Sequence, residues 1–97
     1  MVRPYEALYI VDPETSDEDI TTITEKYKGV VEEQGGEVEA INRWDKRRLA
    51  YDVKGRGEGI YVLMNFRGES KVEAELDRVM RISDDVLRHL ICRRDEE

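Results

Sequence analysis

The first apolar run, Tyr5-Glu6-Ala7-Leu8-Tyr9-Ile10-Val11, is rich in aromatic and β-branched residues and stops at Asp12-Pro13. It predicts a strand over 5–11, apolar on both alternating faces and therefore central in a sheet. Ile20, Ile23, Tyr27, Val30 and Val31 then recur at helical spacing, behind Thr15-Ser16-Asp17-Glu18-Asp19 and ahead of Gly35-Gly36. This is a helix over about 16–34, with a Thr15-x-x-Glu18 capping pair, first-turn acids and a left-handed glycine stop. A long, mostly polar segment from Glu37 to Val53 suits an edge strand. Gly55-Arg56-Gly57-Glu58-Gly59 predicts a flexible turn, and Ile60 to Phe66, the most apolar run, the returning strand of a hairpin. Val72, Leu76, Val79 and Met80 form a second helical stripe over about 70–80, with Ser70 and Glu73 as a capping box. A last strand is expected over 86–93, followed by a disordered tail from Arg94.

The order β-α-β-β-α-β predicts an α+β, ferredoxin-like fold: a four-stranded antiparallel sheet with two helices on one face. A single domain over 1–94 with a tail over 95–97 follows. Alternation assigns Ala7, Tyr9, Val62, Met64 and Phe66 to one side, and Leu8, Ile10, Tyr61 and Leu63 to the other. No element remains to cover the second side, so an apolar face is expected to await a partner. The competing expectation is that long side chains from neighbouring strands shade it.

Composition sharpens this picture. In 97 residues, 40% charged and 39% hydrophobic, the net charge of −7 argues against nonspecific adhesion to nucleic acid. Its distribution is uneven. From Arg43 to Arg56 stand six basic and two acidic residues, a local charge of +4, while the rest of the chain carries ten bases and twenty-one acids, −11. An acidic body with one basic segment fits local docking on RNA. Cys92 is the only cysteine, which excludes an intrachain disulfide framework and gives a cytoplasmic address as the default. The N-terminal residues lead into no apolar stretch of signal-peptide length, and no run has the length of a membrane helix.

Four segments carry a family resemblance: Tyr5-Glu6 through Ile10-Val11-Asp12-Pro13, Trp44-Asp45-Lys46-Arg47-Arg48-Leu49-Ala50-Tyr51, Gly59-Ile60-Tyr61, and Asp85-Val86-Leu87-Arg88-His89. The chain resembles the bacterial small-subunit ribosomal protein S6 family along nearly its whole length, the Arg-Arg-Leu-Ala-Tyr run after a tryptophan being the most selective element. Asp45 departs from the glycine that members often carry. The resemblance implies a structural component of the 30S subunit platform, binding the central domain of 16S rRNA as a heterodimer with ribosomal protein S18.

Candidate RNA-binding residues are Arg3, Lys46, Arg47, Arg48, Lys54, Arg56, Arg88 and Arg93. Strict alternation would put Lys46 and Arg48 on the side of Trp44 and Arg47 on the other. Candidate partner-binding residues are Leu8, Ile10, Trp44, Tyr61, Leu63, Leu90 and Cys92. Trp44 fits either stacking on a base or anchoring a protein interface. His89 and Cys92, three apart on a strand, point to opposite faces and cannot form a catalytic dyad, and no second His or Cys completes a zinc site. No enzyme activity, metal or cofactor is expected. Two rival classes remain. An RNA-recognition motif would need rings flanking Gly59, where Arg56-Gly57-Glu58-Gly59-Ile60 has none. A ligand-binding or enzymatic ferredoxin-like domain would need a convergent polar pocket.

Overall fold

The computed structural model describes residues 1–53 and 55–94, apart from the side chains of residues 45–47, 50–52 and 56. Six elements follow the expected order: β1 (Arg3–Val11), α1 (Asp17–Glu33), β2 (Glu37–Val53), β3 (Arg56–Gly68), α2 (Ser70–Ile82) and β4 (Arg88–Arg93). The sheet order is β2-β3-β1-β4, with every pairing antiparallel, so the two most apolar strands are central. Both helices pack on one face. Tyr5, Ala7, Tyr9 and Val11 of β1, with Val62, Met64 and Phe66 of β3, meet Ile20, Tyr27 and Val31 of α1 and Val72, Leu76 and Met80 of α2. Tyr9 meets Tyr27 edge-on, ring centroids 5.3 Å apart, while Tyr5 stacks on Phe66 at 5.4 Å. These offset and edge-to-face arrangements suit the ring quadrupoles.

The ends of the elements depart from expectation for local reasons. Ser16, not Thr15, caps α1, its Oγ accepting from the Asp19 amide at 3.1 Å. Gly35, at φ 89°, makes the left-handed stop. The N-cap of α2 is Glu69 and no side chain caps it, so Ser70 is the first helical residue rather than half of a capping box. That helix continues to Ile82, which is exposed and outside the buried stripe. In β4, Leu87 still donates its amide to the Ile10 carbonyl at 2.7 Å, but regular pairing starts at Arg88.

The glycine-rich segment is mostly strand. Gly55, at φ 79°, is the one described residue of it that turns the chain, and β3 begins at Arg56. Gly59 is required for close approach: a Cβ there would lie 2.3 Å from Ile10 Cγ2 and 3.7 Å from Leu49 Cδ2. Arg94 is not loose. Its amide donates to the Pro4 carbonyl at 2.8 Å, and its guanidinium donates to the Tyr5 carbonyl at 3.2 Å and to Glu39 at 2.8 Å. Of the expected tail, residues 95–97 lie outside the described residues.

One polar cluster ties the helical layer to the loop before β4. The Tyr27 hydroxyl donates to Asp85 at 2.6 Å, Lys26 Nζ reaches the same carboxylate at 3.1 Å, and Ser83 Oγ donates to it as well. Partial burial pushes the Asp85 pKa up, but the hydrogen bonds from Ser83, Tyr27 and Lys26 outweigh it and hold the carboxyl below its ordinary value of 3.8. Burial, together with the Asp85 contact, pushes the Tyr27 phenol up.

Candidate protein and RNA interface

The face of the sheet opposite the helices is built from the alternate residues of each strand. Leu8 lies between Leu63 and Leu90 in register, and Ile10 lies between Tyr61 and Arg88. Glu6, between Asn65 and Cys92, completes the third row. Trp44 joins this side from β2, its ring stacked on Tyr61 with centroids 6.1 Å apart. All seven expected partner residues therefore share one face.

That face is not bare throughout. The long β2–β3 hairpin folds Leu49 over it, and Leu49 and Ile10 are each only 8% exposed. Ile10 is thus largely shielded by its own chain, a correction to the expectation that the whole face is uncovered. Beyond Leu49 the face stays open. Leu90 is 59% exposed and Cys92 is exposed, while Leu8, Leu63 and Tyr61 are half-buried. Leu8, Ile10, Leu49, Val53, Tyr61 and Leu90 line a hollow of about 330 Å³ between the covered and open parts. A shaped apolar depression beside exposed leucines is a feature a protein segment can fill.

The basic candidates do not converge on one patch. Arg48 lies opposite Glu58 on the β2–β3 hairpin, and Arg88 flanks Ile10 at the same end of the sheet. Arg3 and Arg93 stand at the far end, in register with Gly68 and Tyr5. Arg43, counted in the basic segment, is committed to Asp17 at the start of α1. The side chains of Lys46, Arg47, Lys54 and Arg56 lie outside the described residues, although the backbone pairs Lys46 with Ile60 and Arg47 with Gly59. A register shift between Arg43 and Lys46 breaks the alternation assumed from sequence. Glu58, the partner of Arg48, is two residues from the helix-facing Ile60, whereas Trp44 stacks on the open-face Tyr61. Arg48 and Trp44 are therefore on opposite sides, and the expectation that they share one is overturned.

His89 turns to the helical side, where its Nε2 lies 2.8 Å from Asp77 of α2, while Cys92 is on the open face. Among the described residues no group of three or more His, Cys, Asp or Glu is placed to hold a metal ion. No described helix is long and apolar enough to cross a membrane. Sequence reasoning missed Leu49, which closes one end of the face, and Glu6 and Asn65, which put a polar row across the other. The alternation that selected Leu8 and Leu63 also places these two, but a search for apolar residues passes over them.

A family model described as ribosomal protein S6 matches residues 4–93 of this chain. The small ribosomal subunit protein bS6 of Desulforamulus reducens is 53% identical over 95 residues, covering 98% of this chain and 100% of that relative. Its counterpart in Carboxydothermus hydrogenoformans is 50% identical over 96 residues, covering 99% and 100%. Among solved structures, the 30S ribosomal protein S6 of Thermotoga maritima superposes with a TM-score of 0.90 at 28% identity, over 97% of this chain and 89% of that one.

Proposed function

The chain belongs to the ribosomal protein S6 family, and from that premise we propose that it binds ribosomal protein S18 through its open sheet face, the pair docking on the central domain of 16S rRNA. The observation that carries this reading is the half-open apolar face around Leu8, Leu63 and Leu90, with exposed Leu90 at its rim. Covering it removes apolar area from water, at roughly 25 cal/mol per Å² before the costs of association. The chain's charge of −7 matches a basic partner better than it matches phosphate. Direct RNA contact then falls to the hairpin around Lys46, Arg47, Arg48, Lys54 and Arg56 and to Arg3, Arg88 and Arg93, in a role that positions the dimer rather than reading bases. The role is structural and non-enzymatic, needs no metal or cofactor, and is exercised on the cytoplasmic ribosome.

Affinity capture of the tagged chain from a bacterial lysate tests this. Ribosomal protein S18 and 16S rRNA are expected in the eluate, with rRNA recovery falling steeply as salt rises because phosphate contacts release counterions. Recovery of neither would contradict the reading.

A further inference from the structure

One row of the open face, that of Glu6 and Asn65, is chemically unfinished. Glu6 of β1 faces Asn65 of β3 in antiparallel register, both partly buried and both on the side of Leu8 and Leu63. Asn65 Oδ1 is buried and accepts no hydrogen bond. Glu6 forms no hydrogen bond or ion pair among the described residues. Of the guanidinium groups on this side of the sheet near Glu6, that of Arg94 is already engaged by Glu39 and the Tyr5 carbonyl, and that of Arg67, the next residue of β3 on this face, makes no ion pair with Glu6. A carboxylate and an amide oxygen thus stand side by side, neither of them accepting a hydrogen bond among the described residues.

In the free chain, water can serve the carboxylate. Once a polypeptide covers the face that water is lost, and an unpaired anion in an apolar interface is strongly unfavourable. The covering chain must therefore bring a donor, and the Glu6 charge requires it to be cationic. We propose that Glu6 and Asn65 form a recognition subsite for a basic side chain, an arginine in preference to a lysine, of the polypeptide that covers this face; the inference rests on the protein-partner reading above. A guanidinium carries five donors in a planar fork, enough to engage the carboxylate through two N–H groups and still reach the amide oxygen. An ammonium group lacks that geometry. RNA does not fit, because Glu6 repels phosphate and the row offers no side-chain cation.

Calorimetric titration of the intact chain with purified ribosomal protein S18 tests the subsite through two variants. Glu6→Gln keeps the shape and removes the charge. It is expected to weaken binding about tenfold and flatten the salt dependence. Asn65→Leu removes the orphaned acceptor. It is expected to raise the melting temperature of the free chain while weakening binding, opposite signs that a merely structural residue would not give. If the unmodified chain binds S18 and both variants bind within about twofold of it, the subsite is wrong and the partner reading stands. Failure of the unmodified chain to bind would remove both. A loss of rRNA affinity in Glu6→Gln, with S18 affinity unchanged, would also overturn the subsite.

Discussion

Replacing Leu63 with aspartate is expected to abolish binding of ribosomal protein S18 while leaving the fold in place. Leu63 is the central β3 residue of the open face, between Leu8 on β1 and Asn42 on β2, and it is half-buried in the free chain. A carboxylate there remains partly solvated in the free protein, so folding should lose only about 1 kcal/mol. Under a covering polypeptide it would be desolvated without a cation in register. That costs at least roughly 3 kcal/mol, more than a hundredfold in Kd. Ile82→Asp is the matched control, since Ile82 is an exposed apolar residue of α2 outside the open face. Titration calorimetry should show S18 binding by the control and none by Leu63→Asp, with circular dichroism and melting curves close to those of the unmodified chain. Binding retained by Leu63→Asp would move the partner off this face.

Asp85→Ala is expected to give the largest loss of stability among the polar positions. The substitution leaves the Tyr27 hydroxyl, on a buried residue, without its acceptor at 2.6 Å and removes the carboxylate from Lys26 and Ser83, which keep their own hydrogen bond at 3.0 Å. An unsatisfied buried donor costs about 1–3 kcal/mol, and the exposed Lys26 contact adds little. Asp85→Asn keeps an acceptor and should lose less. Because the folded-state pKa of Asp85 is depressed, its contribution is fully present above the ordinary value of 3.8 and disappears as pH falls through the lower folded value. Urea denaturation at neutral pH should therefore separate the unmodified chain from Asp85→Ala, and the gap should close in strong acid. An equal gap at both pH values would mean that the contribution comes from packing and not from the charge.

Much of the architecture was legible because it rests on periodicity. Stripes at helical spacing placed α1 and α2, and apolar runs placed β1 and β3 at the centre of the sheet. The ends were less legible, because caps depend on which of several adjacent hydroxyls or acids meets the helix. Ser16 rather than Thr15 does so at α1, while α2 starts one residue earlier than a Ser70 cap would allow, with Glu69 at the N-cap and no side chain bonded there. Gly57 and Gly59 read as turn residues because glycine serves both turns and close approaches. Only the neighbouring Ile10 and Leu49 reveal that Gly59 is the second kind.

The candidate interface divides in the same way. Alternation alone gathered Leu8, Tyr61, Leu63, Leu90 and Cys92 onto one face, since paired strands conserve parity across a sheet. It failed along β2, where a register shift between Arg43 and Lys46 separates Trp44 from Arg48. It could not foresee that the hairpin would fold Leu49 onto Ile10. Nor could the tail composition show that Arg94 binds the Tyr5 carbonyl and Glu39, two partners brought near by the sheet and distant in sequence.

Cys92 gives the most direct test of whether a partner covers the open face. It is the only cysteine of the chain, exposed, and in the same row as Glu6 and Asn65. Its alkylation by iodoacetamide, followed by mass spectrometry of the peptide that contains it, should be rapid in the free protein and slow by at least about tenfold with saturating S18. An unchanged rate, with the complex verified in the same sample, would place S18 elsewhere on the molecule.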